Sequence, residues 1–147
     1  MKISQFSDIL EQVTPEGYNY RAQNRYAYNA SKVIEPVFLF VPPRTWAIRW
    51  RDHCQHRETV TLMLGLPANI KQSGKEQYVN YSPIDARDDM IATAESIMAT
   101  LNDNPLVRVV NSGIIASEFY DAPEGRQANN MVWLSWQAQV DLEGNVI

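Results

Sequence analysis

The chain has few residues of the kinds that cross-link a fold or carry chemistry: one cysteine, two histidines and six glycines among 147 residues. A single cysteine, Cys54, cannot form an internal disulfide, so the fold does not depend on oxidation. The glycines are not grouped, which excludes a glycine-rich loop that cradles phosphate. No apolar run approaches the ~20 residues of a membrane span, and the N-terminus lacks the apolar run of a signal peptide. We therefore expect a soluble protein that is made inside the cell.

Composition and charge describe an ordinary globular chain. Apolar residues make up 45% and charged residues 20% of the sequence, and the formal net charge of −4 argues against a surface that binds nucleic acid throughout. The length suits one hydrophobic core, so we predict a single domain over residues 1–147. Within it, residues 1–36 hold a short helix and a tyrosine-rich excursion, and residues 37–142 form an α+β core.

The spacing of apolar residues predicts helices and strands in a fixed order. Helical spacing is found over residues 3–13 and 83–101. Continuous or alternating apolar patterns predict strands over residues 37–41, 46–50, 59–66, 106–110, 114–119 and 131–140. We predict an α+β fold, in which a small, mostly antiparallel sheet is packed by one main amphipathic helix and a short N-terminal helix.

His53, Cys54 and His56 are the first residues to consider as metal ligands or as a nucleophile pair. A structural zinc site needs about four such ligands, usually drawn from two segments, and the second pair is missing here. Neighbouring residues in a turn do not readily align a thiolate with an imidazole and an orienting third group. We read the segment as a solvated turn, and we predict no metal site, no cofactor and no catalytic residue.

Asp85, Asp88 and Asp89 open the second predicted helix. Asp85 and Asp89 are four residues apart and so share a helix face, which makes them candidates for acid–base work. The helix dipole also favours carboxylates in the first turns without any catalysis. A small metal- or carboxylate-dependent hydrolase, in which His53 and His56 meet one of these carboxylates, stays as the enzyme alternative.

Residues 18–31 interleave aromatic and basic side chains without a clear period. The candidate contact residues in this segment are Tyr18, Tyr20, Arg21, Arg25, Tyr26 and Tyr28. Tyrosine is enriched in protein–protein contacts, and the same mixture could also stack on single-stranded nucleic acid. Because the chain is acidic, we favour a protein contact and keep a nucleic-acid-binding module as an alternative. Trp133, on the less apolar side of the last strand, adds aromatic area beyond what one helix covers.

Residues 37–66 carry a resemblance to a known family. An apolar strand into Pro42 and Pro43, a tryptophan and isoleucine strand, a polar turn and an alternating strand resemble the small neck proteins of tailed bacteriophages. The following helix and the long last strand extend the likeness over residues 37–142. On this pattern the chain resembles the tail terminator (or tail completion) proteins, which cap the tail tube and join it to the head.

The resemblance implies an α+β sheet packed with helices and assembled as a homo-oligomeric ring, commonly of six copies. It implies a structural virion protein of the tail or neck that is made in the host cytoplasm. Its partners would be its own copies and the neck, connector and tail-tube proteins, with no membrane and no specific nucleic-acid ligand. The first helix and residues 18–31 should then contact a neighbouring copy or a neck partner. Deleting residues 1–31 should leave residues 37–142 folded and weaken assembly.

Overall fold

The computed structural model describes residues 1–24, 27–28, 35–48, 55–67, 83–111, 113–114, 116–120 and 131–143, with the backbone alone for residues 83–87 and 116–120. These residues include the helices α1 (Ile3–Gln12) and α2 (Pro83–Asn102). They also include the strands β1 (Asn19–Ala22), β2 (Val37–Val41), β3 (His56–Pro67), β4 (Val107–Val109), β5 (Ala116–Tyr120) and β6 (Met131–Leu142). The predicted α+β fold with a mostly antiparallel sheet is confirmed.

The sheet is built around the long antiparallel pair of β3 and β6. The strand order is β1-β2-β3-β6-β4, and β5 also pairs with β6. Every pairing is antiparallel except that of β1 with β2. The register of the central pair runs from His56 opposite Leu142 to Pro67 opposite Met131, so each residue of the two strands faces a partner.

One face of the sheet carries the main hydrophobic core. The register of β3 and β6 sets Leu62 opposite Trp136, and both side chains are buried. α1 covers this face with Phe6 and Leu10, and the Phe6 ring meets the Phe40 ring edge-on at a centroid distance of 5.5 Å. α2 adds three more buried side chains, Met90, Ile97 and Leu101. Both helices therefore pack on the same face of the sheet.

A smaller core lies on the opposite face. Its buried members are Tyr28, Val37, Leu39, Met63, Met131 and Trp133. The Tyr28 ring meets the Trp133 ring edge-on at a centroid distance of 5.4 Å. Gly65 is directly opposite Trp133, and a Cβ at that position would lie 2.6 Å from a carbon of the indole. The glycine therefore makes the space in which the indole lies.

The predicted strand over residues 46–50 is wrong for its first three residues, and the other two lie outside the described part of the chain. The indole N–H of Trp46 donates to the carbonyl oxygen of Met1 at 2.8 Å. The backbone N–H of Ala47 donates to a carboxylate oxygen of Glu58 at 3.0 Å. These hydrogen bonds go to one backbone carbonyl and one side chain rather than to the backbone of a neighbouring strand. Trp46 packs against the main core, and residues 46–48 are not part of the sheet.

The first helix belongs to the core of its own chain. Phe6 and Leu10 have 0% exposure, and β1 extends the same sheet as the later strands. Residues 1–31 therefore supply part of the apolar cover of the main core. That residues 37–142 stay folded without them remains a prediction. A helix of about three turns is marginal alone, and here it is stabilised by tertiary packing.

We expect Phe6→Ala to lower the free energy of unfolding by about 3–5 kcal/mol, because it leaves a cavity in a fully buried site. Urea denaturation followed by circular dichroism measures the change. The control is Glu11→Ala on the exposed side of the same helix, which should stay within about 0.5 kcal/mol of the parent. Equal stability of the two variants would contradict the placement of α1 in the core.

We expect Gly65→Ala to destabilise the fold by about 1–3 kcal/mol, because the new methyl group overlaps the Trp133 ring and must displace it. Gly113→Ala is the matched control, since a Cβ there meets no atom within 4 Å. Thermal unfolding of both variants provides the comparison. A neutral Gly65→Ala would show that the indole does not lie over the glycine.

Candidate interaction surfaces

The aromatic residues proposed as contacts are largely used inside the chain. The Tyr20 ring packs on Phe38 at a centroid distance of 5.8 Å, and its hydroxyl lies 2.7 Å from the Ser7 hydroxyl. Tyr18 is partly buried against the main core. The prediction that Tyr28 and Trp133 offer contact area is wrong, since they are 1% and 0% exposed. Each covers the other in the smaller core. Two more of the predicted contacts, Arg25 and Tyr26, lie outside the described residues.

Arg21 is half exposed and binds Glu35, just before β2. Its Nε donates to one carboxylate oxygen at 3.0 Å and its Nη2 to the other at 3.4 Å, while Asn19 Nδ2 donates to the second oxygen at 2.6 Å. Burial raises the pKa of Glu35, but hydrogen bonds from Arg21, Asn19 and Tyr28 and the Arg21 charge lower it to below its ordinary value. In return, the hydrogen bond and charge of Glu35 raise the pKa of Arg21. This ion pair fastens β1 to β2.

His56, a ligand or catalytic group in the hydrolase alternative, is enclosed at the start of β3. Its Nδ1 lies 3.7 Å from a carboxylate oxygen of Glu58, and its Nε2 lies 3.4 Å from the amino group of Met1. The Trp46 ring packs edge-on against the imidazole at a centroid distance of 5.4 Å. Among the described residues there is no group of three histidine, cysteine, aspartate or glutamate side chains that could hold a metal ion.

The described carboxylates of that alternative, Asp88 and Asp89, form no metal-binding group with His56. Asp88 and Asp89 are exposed on α2, whereas His56 packs beside the start of α1. His53 and Cys54 lie outside the described residues, as does the side chain of Asp85. His56 is therefore packed among Trp46, Met1 and Glu58, away from a shared metal-binding group with Asp88 or Asp89.

The face of the sheet that carries the smaller core also has a polar part, which is exposed to solvent. Arg57 on β3 and Arg108 on β4 both donate to Asp141 on β6, with Arg57 Nε at 2.8 Å and Arg108 Nη2 at 3.2 Å. Hydrogen bonds from Arg57 and then from Arg108 hold the pKa of Asp141 below its usual range. Beside this cluster, a concavity of about 580 Å³ is lined mainly by threonine, serine and glutamine side chains of β3 and β6. Sequence reasoning missed the cluster because only the strand register brings these three residues together.

A larger concavity lies between α2 and the sheet. It has a volume of about 750 Å³, and its apolar lining includes Ile91, Ala94, Met98, Ala99, Leu134 and Trp136. The indole N–H of Trp136 points to the Met98 sulfur at 3.3 Å, and Glu95 stands at the same concavity. We call it the α2 groove. α2 buries Met90, Ile97 and Leu101, whereas Ile91, which lines the groove, remains 37% exposed.

Ile48 is the most exposed large apolar side chain of the described residues, at 86%. Leu106, before β4, follows at 46%. The alternation of residues 46–50 had suggested that Ile48 lies on the covered face of a strand. The two residues before it, Trp46 and Ala47, are anchored by hydrogen bonds to Met1 and Glu58, and Ile48 itself stays exposed.

A scan against models of protein families finds no match, and a search of curated proteins finds none either. In the described part of the chain, no helix is long and apolar enough to cross a membrane. The surfaces must therefore be interpreted from their own chemistry.

Tyr20 offers a spectroscopic test of the internal use of the tyrosines. Burial raises the pKa of its hydroxyl from 10.0 to about 12. The neutral form is therefore favoured in the folded state, and the stability that this contributes is present below pH 10.0 and lost as the pH rises towards 12. The absorbance difference between the parent and Tyr20→Phe, followed through an alkaline titration, isolates this group. Ionisation at the ordinary pKa would show that Tyr20 faces solvent.

Proposed function

We propose that the chain is a non-enzymatic virion protein that forms a ring at the head–tail junction or tail end of a bacteriophage, in the manner of the tail terminator proteins that it resembles. Its partners are copies of itself, six of them in the form that the resemblance implies, together with neck, connector and tail-tube proteins. The α+β fold with helices packed on a mostly antiparallel sheet agrees with that resemblance.

The observation that supports the proposal most directly is the difference between the two lateral edges of the sheet. Within the described residues, β1 pairs with β2 alone at one edge, and β4 and β5 share the other edge along β6. Unpaired edges readily accept a strand from another chain. A contact between two unlike edges is head-to-tail, and a head-to-tail contact repeated with the right rotation closes into a ring.

The outward edge of β1 can be tested without breaking its bonds to β2. The backbone N–H of Asn19 donates to the carbonyl of Pro36, on the β2 side. Because the direction of backbone groups alternates along a strand, the N–H of Ala22 points away from β2. Proline at this position removes an outward donor and leaves the ladder with β2 in place.

We expect the purified parent to form a closed oligomer of one size in native mass spectrometry and sedimentation velocity. Ala22→Pro should remain folded by circular dichroism and lose the oligomer, because the edge can no longer donate to a neighbour. Ala22→Val, which keeps the N–H, is the matched control and should assemble normally. A chain found as an isolated monomer in assembled particles would contradict the proposed function.

A further inference from the structure

The segment after β2 presents an anchored apolar projection. Residues 44–48, which we call the Ile48 knob, carry Ile48 at 86% exposure. The knob is held at two points, by the hydrogen bond from Trp46 to Met1 at 2.8 Å and by that from Ala47 to Glu58 at 3.0 Å. The Trp46 ring also packs on Phe6 at a centroid distance of 6.0 Å. An isolated large side chain that is so exposed on an anchored segment is suited to insertion into a pocket.

The α2 groove is a different surface, between α2 and strand β6. Its floor is formed by Leu134 and Trp136 of β6, and its wall by the side of α2 that carries Ala94, Met98 and Ala99. The volume of about 750 Å³ is ample for a branched aliphatic side chain and its neighbours. Leu134 and Trp136 are themselves buried, so the accessible lining of the groove comes from α2, where Ile91 and Ala99 are exposed.

The two surfaces have opposite charge. Residues 88–103 contain four carboxylates and no lysine or arginine, and Asp88, Asp89 and Glu95 are all exposed. Arg44 is exposed in the knob, and the exposed Lys2 follows Met1, whose carbonyl anchors Trp46. Glu95 lines the groove on this acidic helix, whereas Arg44 and Lys2 lie on the side of the knob, so the charges of the two surfaces are complementary. Such complementarity fixes the orientation of two partners and disfavours wrong ones.

We infer that the Ile48 knob of one copy inserts into the α2 groove of the next copy. The occupant of the groove is thus a second copy of this chain, and the contact is head-to-tail because the knob and the groove are different surfaces. This inference rests on the proposed ring and names the side chains that would meet in it. Burial of Ile48 in the groove supplies apolar area, and Arg44 and Lys2 approach the α2 carboxylates.

Disulfide trapping between two separately purified variants tests the contact. Both carry Cys54→Ser, and one adds Ile48→Cys while the other adds Ala99→Cys in the groove wall. Because a disulfide requires Cα atoms within roughly 7 Å, only a close approach of residue 48 to the groove yields a covalent dimer. Ala92→Cys replaces Ala99→Cys in the control, since Ala92 is exposed on the same helix and is not part of the groove lining.

We expect the mixture of Ile48→Cys and Ala99→Cys to give a covalent dimer under mild oxidation, and the mixture with Ala92→Cys to give much less. Ile48→Asp should weaken self-association about tenfold or more, because an apolar side chain is lost from the contact and a carboxylate meets Glu95 of the groove. Ile48→Leu, which keeps a branched apolar side chain at the same position, is its control and should assemble like the parent.

The outcomes separate this contact from the ring itself. A parent that forms a closed oligomer, with equal trapping at residues 92 and 99 and no effect of Ile48→Asp, would overturn the knob-and-groove contact and leave the proposed function standing. A parent that stays monomeric, with no trapped dimer in either mixture, would overturn both.

Discussion

The pairing of β3 with β6 is the constraint on which the rest of the structure depends. Residues alternate between the two faces of a sheet, so a slip of one residue in this register would exchange the faces of one strand. Leu62 would then lose its position beside Trp136, and Gly65 would no longer lie opposite Trp133. Both cores, one on each face of the sheet, therefore depend on a single alignment. The close approach of the indole to Gly65 helps to specify that alignment. If a residue with a side chain lay opposite Trp133, it would exclude the ring from this space.

The two cores decide which surfaces remain available to a partner. α1 and Trp46 pack in or against the main core, and Tyr28 and Trp133 are buried in the smaller core. The tyrosine-rich segment was predicted to be a contact surface. Two of its residues instead hold β1 in place, Tyr20 by its contact with Ser7 of α1 and Arg21 by its ion pair with Glu35. Among the described residues, exposed apolar area remains at Ile48, at Leu106 and in the α2 groove, together with the sheet edges. The Ile48 knob and the α2 groove are unlike each other in shape, and the charges beside them differ in sign.

The elements that could be predicted from the sequence are those whose buried apolar residues recur at the regular spacing of a helix or a strand. The alternation over residues 59–66 and 131–140 and the helical spacing over residues 83–101 predicted β3, β6 and α2 near their observed bounds. The same rule failed over residues 46–48, because Trp46 and Ile48 alternate there without a neighbouring strand that bonds to the backbone. The fate of Trp133 could not be predicted, since its cover comes from Tyr28, more than a hundred residues earlier in the chain, and from the absence of a side chain at Gly65. The Arg57, Asp141 and Arg108 cluster likewise needed the register of three strands.

The central pair also bears on how a ring could close. A head-to-tail contact gives a closed ring only when each subunit is rotated by the same fixed angle relative to the last, and it gives an open filament otherwise. The Ile48 knob is anchored through Glu58 of β3, and the floor of the α2 groove includes Trp136 of β6. The position of the Ile48 knob and the position of the α2 groove are therefore both fixed by the pairing of β3 with β6. In an interface built on these two surfaces, the β3–β6 pairing would fix the rotation between neighbouring subunits. This pairing is the most extensive in the described part of the chain.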